Sequence, residues 1–284
     1  MVTPVPSPIV RLLVLDIDGT LIGADGLLRP RTITAVEAAL AAGVRVALAT
    51  GRMPSSALPV ARRLGIREPI IGLQGAAIRE IPPDGATRPG RLLFHRSLDV
   101  ATTREAVAWC RAAGLVPHLG RLETMYFDRA DRNLDAWSRW LPTTIHVVAD
   151  VGTWTGPPVS KVIAIGPPER PAAVVDDAVA RFDGRARVMV SHPEFLEFVA
   201  PRVSKGEALR WLARREGIPM AQVMAVGDQL NDLDMIAAAG HGVAMGNAPD
   251  AVRSVARYVA PHVDEQGAAR MIEELVLGRS GARD

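Results

Sequence analysis

The chain of 284 residues is short of cysteine, lysine and aromatic residues, and each shortage removes a class of explanation. Its single cysteine, Cys110, excludes an intramolecular disulfide and argues against a zinc site built from thiolates. Cys110 sits in the apolar stripe of an expected helix, which makes it a core residue. The aromatics are two tyrosines, five phenylalanines and five tryptophans, too few for a base-stacking platform, and the basic residues form only short clusters such as Arg62-Arg63 and Arg214-Arg215. Nucleic acid is therefore not an expected partner. No run of about 18 apolar residues suggests a membrane helix, and the opening MVTPVPSPIV has no basic stretch leading into a long apolar one. The expected location is cytoplasmic, with no membrane partner. Charges of the two signs nearly cancel, 33 basic against 31 acidic, so the whole molecule projects no strong field.

What is present suits a globular protein. Apolar residues make up 48% and charged residues 23%, and the length exceeds that of one typical compact domain, so two are expected. Ile9 to Leu15 is a short apolar run ending in Asp16, the pattern of a strand buried on both faces. Pro30 suits a first helical position, and Ile33, Val36, Ala39 and Leu40 form a stripe stopped at Gly43. Val44 to Ala49 is a second strand closed by Thr50-Gly51-Arg52, a helix through Leu64 follows, and Ile70 to Leu73 is a third strand. Such alternation predicts a parallel sheet covered by helices, with ligands beyond the carboxyl ends of its strands.

From about residue 83 the pattern changes, starting at Pro82-Pro83-Asp84-Gly85. Helical stretches near 101–113 and 171–182 are interleaved with strand-like pieces at Met125 to Phe127, Val162 to Ile165, Val188 to Val190 and Phe195 to Val199. The alternation resumes near 201 with a helix through Leu209 and Leu212, the strand Val223 to Val226, a strand at Gly242 to Met245, a helix through Val252, Val255 and Val259, and a last helix near Met271 to Val276. Residues 1–82 and 201–284 read as one α/β, Rossmann-like core, and 83–200 as an α/β cap inserted into it.

Asp16-Ile17-Asp18-Gly19-Thr20-Leu21 stands directly after a buried strand. Two carboxylates two residues apart can divide the work of nucleophile and proton carrier; a bare Asp-x-Asp at a strand end more often merely solvates it. Gly227-Asp228-Gln229-Leu230-Asn231-Asp232 opens where another apolar strand ends, and Asp228 and Asp232 can face one site across a helical turn. Acidic residues favouring a helix N-terminus explain some of this second cluster, but not its occurrence with the first. Lys205 and Lys161 are the only two lysines in a chain whose other cations are arginines.

These segments resemble the haloacid-dehalogenase-like superfamily. The first matches its opening motif, and Asp25-Gly26, Pro30-Arg31-Thr32 and Ala47 to Arg52 are similar to its Cof-type branch. The resemblance implies an α/β core with a large inserted cap, and an aspartyl-phosphate mechanism in which Asp16 is the nucleophile and Asp18 the acid and base. Thr50, with Gly51 beside it, and Lys205 are implied to hold the phosphoryl group. Magnesium is the implied cofactor, on Asp16, the backbone carbonyl of Asp18, and Asp228, with Asn231 and Asp232 in support; an all-oxygen donor set favours it over zinc or copper.

The implied activity is a phosphatase acting on a small phosphorylated metabolite such as a sugar phosphate. A phosphomutase or phosphotransferase using the same nucleophile is the alternative, and a non-catalytic phosphometabolite-binding protein a third. Two positions depart from the family pattern: Gln74 stands where asparagine is usual, and Arg202 where glycine is common. Lys161 is expected to serve structure, and Glu123, Tyr126, Arg129 and Trp154 to pack or solvate rather than line a pocket. Asn247 matches a loop of the core.

Overall fold

A computed structural model describes residues 10–86, 90–129, 131 and 144–279. Ile9, the expected start of the first strand, lies outside them. The described chain forms two compact units. The first takes in the chain up to Ala49, Val60–Glu68 and the chain from Leu209 onward; the second takes in Thr50–Pro59 and Pro69–Ala208.

The strands, in chain order, begin with β1 (Leu12–Leu15), β2 (Arg45–Leu48), β3 (Ile70–Gly72), β4 (Ala77–Arg79) and β5 (Leu92–His95). Next come β6 (Val116–Arg121), β7 (Thr124–Asp128), β8 (Thr144–Val148), β9 (Lys161–Ile165), β10 (Arg187–His192) and β11 (Phe195–Val199). The last are β12 (Val223–Gly227), β13 (His241–Ala244) and β14 (Tyr258–Val259). The helices used below are α1 (Pro30–Ala41), α2 (Pro54–Arg63), α3 (Val100–Ala112), α4 (Glu169–Arg181) and α5 (Lys205–Arg215).

The first unit holds a parallel sheet of order β14-β13-β12-β1-β2. Its registers set Leu15 beside Val226 on one side and Leu48 on the other, so β1, β2 and β12 end together. Leu12 to Leu15 and Val223 to Val226 are buried on both faces, which is why they read as unbroken apolar runs rather than alternating ones. Pro30 at the start of α1 gives up a backbone N–H that no helical carbonyl would accept. The helix expected through Val252, Val255 and Val259 is instead a single turn, Asp250–Arg253, followed by β14 at the sheet edge. Branched residues spaced three or four apart satisfy both patterns over so short a stretch.

The second unit holds a six-stranded mixed sheet, order β10-β11-β9-β6-β7-β8, with α3 and α4 contributing to its core. Cys110 is buried there beside Val107, Phe182 and Phe198, and burial pushes its thiol pKa up, as a packing role requires. A three-stranded sheet, β3-β4-β5, belongs to the same unit. β3 pairs antiparallel with β4 because the chain reverses between them at Leu73 and Gln74, both in the left-handed region at φ 54° and 61°. A second core of Met53, Leu73, Ala76, Met125, Phe127, Met189 and Val199 draws residues on both sides of position 83 into one unit. Burying each large side chain of this kind contributes about 1.5–3 kcal/mol.

Candidate active site

The end of β1 delivers Asp16, whose N–H donates to Val226 O at 3.0 Å, and the end of neighbouring β12 delivers Asp228. Parallel pairing alone brings these two carboxylates together. Asp232 joins them from the turn Leu230–Asp232, and one oxygen of each of the three lies within 4.8 Å of the others. All three are buried, at 5%, 2% and 0% exposure. Among the described residues, this is the one group of three metal-competent side chains so arranged. Its donors are hard oxygens, a set that could hold a divalent metal ion.

The loop after β1 is shaped to let Asp228 in. Gly19 has φ +83°, and a Cβ placed on it would lie 2.2 Å from Asp228 Oδ2, so only glycine fits. The N–H groups of Thr20, Leu21 and Ile22 point back at Ile17 O, which closes the loop. Three side chains donate to Asp228: Thr20 Oγ1 at 3.2 Å, Gln229 Nε2 at 3.2 Å and Asn247 Nδ2 at 3.2 Å. Asn247 also donates to Gly19 O at 2.9 Å and accepts from Val263 N at 3.1 Å, so it ties the two loops together. These contacts fix which way its amide faces.

Asp232 has a different task from Asp228. Its Oδ2 accepts the N–H groups of Asp228, at 3.0 Å, and Gln229, at 3.1 Å, an arrangement that holds the loop carrying Asp228. Gly227 makes room for it, since a Cβ there would lie 2.5 Å from that of Asp232. Asn231 is buried in the same turn. The side chain of Asp18 is exposed and stands outside the carboxylate group.

Thr50, Gly51 and Lys205 belong to the second unit, where they meet the turn at Gln74-Gly75. Thr50 N donates to Ile71 O at 2.9 Å, Thr50 O accepts Gln74 N at 3.1 Å, and Thr50 Oγ1 accepts Arg52 N at 3.1 Å. Accepting that bond leaves the hydroxyl hydrogen available to a further acceptor. Gly75, at φ +96°, lets Ser204 O come so near that a Cβ would stand 2.2 Å from it, which sets the start of α5 against the same turn. Ser204 Oγ accepts Glu207 N at 3.0 Å and so caps the helix that Lys205 opens. Lys205 is buried at 1% exposure.

Thr20 and Gln229 are site residues that sequence reading missed. Thr20 lay within the motif, yet nothing in one sequence says that its hydroxyl, 208 positions away, meets Asp228. Arg202 adopts φ 62°, the conformation for which glycine is suited, so its departure from the family pattern is carried as backbone strain. In the second unit Trp154 lies in the core with Tyr126 packed on that core, Glu123 pairs with Arg79 at 3.2 Å, and Arg129 is exposed.

Comparison with known proteins identifies the family of the chain. The family of haloacid dehalogenase-like hydrolases matches residues 13–272. The 5-amino-6-(5-phospho-D-ribitylamino)uracil phosphatase of Bacillus subtilis is 28% identical over 269 residues, which are 93% of this chain and 96% of that protein. The HMP-PP phosphatase of Serratia proteamaculans is 26% identical over 279 residues, covering 93% and 94% of the two chains. Among solved structures, a haloacid dehalogenase-like hydrolase from Bacteroides thetaiotaomicron aligns with a TM-score of 0.78 at 27% identity, over 93% of this chain and 99% of the other. Among the described residues no helix is long and apolar enough to cross a membrane. The family match spans the strands that deliver Asp16 and Asp228 and almost everything between and around them, and this chain belongs to the haloacid dehalogenase-like hydrolases.

Proposed function

We propose that this enzyme is a magnesium-dependent phosphatase that hydrolyses a small phosphorylated metabolite, of the sugar-phosphate kind, through an aspartyl-phosphate on Asp16. The observation that carries the reading is the buried meeting of Asp16, Asp228 and Asp232 at the carboxyl ends of parallel strands. The relatives named as phosphatases support the reaction class. Asp16, Asp228 and the carbonyl of Asp18 are the groups assigned to magnesium, with Asn231 and Asp232 supporting the loop. Magnesium bound there supplies positive charge against the phosphoryl oxygens.

Asp16 Oδ attacks phosphorus in line, and the bond from phosphorus to the substrate oxygen breaks. Asp18 gives its proton to that departing oxygen, a role open to an exposed carboxyl two residues from the nucleophile. Water then attacks phosphorus, Asp18 takes its proton, and the Asp16 carboxylate is regenerated with release of phosphate. The Thr50 hydroxyl, the backbone at Gly51 and the Lys205 ammonium are assigned to the phosphoryl oxygens. Residues 83–200 are proposed as the cap that selects the substrate.

Hydrolysis of para-nitrophenyl phosphate tests the proposal. Asp16→Asn should lower turnover at least about a thousand-fold with an unchanged circular dichroism spectrum, and chelation should silence the native enzyme until magnesium is returned. Near-normal turnover by folded Asp16→Asn would refute the nucleophile. Interconversion of sugar phosphates without net phosphate release would favour a mutase.

A further inference from the structure

The second lysine, Lys161, is not a surface cation. It opens β9 in the second unit, is 6% exposed, and directs Nζ to Glu197 Oε2 at 2.7 Å and to Gly51 O at 3.3 Å. Gly120 faces it across the ladder, with the Lys161 stem so close that an added Cβ would stand 3.2 Å from Cγ. Glu197, on neighbouring β11, is 2% exposed, and its other oxygen accepts from Gln74 Nε2 at 3.1 Å and from Ser191 Oγ. Gln74 closes the ring: a Cβ on Gly51 would lie 2.6 Å from Gln74 Nε2, while Gln74 N holds Thr50 O.

Gly51 is thus gripped on two sides by groups that answer to one carboxylate. A buried ion pair contributes little net stability, because desolvation offsets most of its attraction, so fold strength does not explain the arrangement. Its physical effect is directional. A compact ammonium divides its donors between a carboxylate and a backbone carbonyl, and the carbonyl so fixed belongs to the Gly51–Arg52 peptide, whose N–H donates to Thr50 Oγ1 at 3.1 Å. The longer amide of Gln74 is what reaches both Glu197 and the floor of Gly51. An asparagine would end one methylene earlier.

We propose that Lys161, Glu197 and Gln74 are positioning residues that hold the Thr50-Gly51 segment in the geometry that receives a phosphoryl group. The inference rests on the reading of Thr50-Gly51 as phosphate-binding. It assigns Lys161 to phosphate affinity, although strands β6, β9 and β11 carry no group of the reaction itself.

The test measures KM for para-nitrophenyl phosphate, the inhibition constant of inorganic phosphate and the magnesium concentration giving half activity. The variants are Thr50→Val, the charge-balanced pair Lys161→Met/Glu197→Gln, and the three changes combined. The pair should raise KM and the phosphate inhibition constant together by about ten-fold or more, as loss of alignment does, and leave the magnesium requirement unchanged. In the Thr50→Val background the same pair should add less than about two-fold, since the hydroxyl it positions is gone. Equal effects in both backgrounds, or a lowered melting temperature with KM and inhibition unchanged, would overturn the proposal. Thr50→Val with normal phosphate inhibition would instead overturn the phosphate-binding reading beneath it. Gln74→Asn, which withdraws the amide without removing a charge, should raise the inhibition constant in the same direction; an unchanged constant there counts against the proposal even where the Lys161 variants fail to fold.

Discussion

In the first unit the buried charges that converge are carboxylates, set side by side because parallel strands β1 and β12 end at the same level. In the second, both lysines of the chain are buried, and Lys161 meets its carboxylate across antiparallel strands β9 and β11. The first unit brings three carboxylates close enough to share a metal ion. The second balances Lys161 with Glu197 and spends the pair on the backbone of Gly51. Converging metal-competent oxygens mark where chemistry is assigned, whereas the Lys161–Glu197 pair marks where geometry is held.

The contrast can be broken most severely at Gly19. Gly19→Ala sets a methyl group against the Asp228 carboxylate and forces an L residue to φ +83°, so activity should fall at least about a hundred-fold. A magnesium titration of the variant checks this, and near-normal activation would show that Asp228 is not confined as described. Asp232→Ala should act next most strongly. It frees the N–H groups of Asp228 and Gln229 and should raise the magnesium concentration for half activity about 10- to 100-fold. An unchanged requirement would reduce Asp232 to a helix cap.

Acid should sharpen the contrast from the other side. His118 is fully buried in the second unit, stacked on Phe127 with ring centroids 4.1 Å apart, and burial pushes its pKa down to about 4 against the opposing pull of Asp131, 3.5 Å away, and of Asp128. The unfolded chain takes up a proton near the ordinary histidine value while the native chain stays neutral, so stability should fall as pH drops from about 6.5 toward 4. Urea midpoints at the two ends of that window measure the loss, and His118→Gln should make the decline shallower. Smallest of all, Arg202→Gly should relieve left-handed backbone at φ 62° and raise stability by at most about 1 kcal/mol, because glycine also loosens the unfolded chain. A lower melting temperature would mean that the Arg202 side chain contributes more than its backbone costs.

The same division explains what a single sequence discloses. Asp16 and Asp228 are legible because each follows an unbroken apolar run, and one rule about parallel sheets places ligands at such ends. Lys161 was expected to be structural, and its pairing with Glu197 depends on antiparallel register between strands 36 positions apart, for which apolar patterning has no signal. The antiparallel partner of β3 is not foreseeable, because the left-handed turn at Leu73-Gln74 sends the chain back along it as β4, and neither residue type announces that conformation. Val252 to Val259 failed for a related reason, since its branched residues suit a sheet edge as well as a helix face.

The scarcity of lysine has a practical consequence. With Lys161 and Lys205 at 6% and 1% exposure and arginine at every other basic position, side-chain amines are absent from the protein's outer surface. Reagents that acylate amines should therefore modify these two positions only when the surrounding structure opens. Their labelling rate becomes a clock for that opening, read by mass spectrometry without any engineered probe.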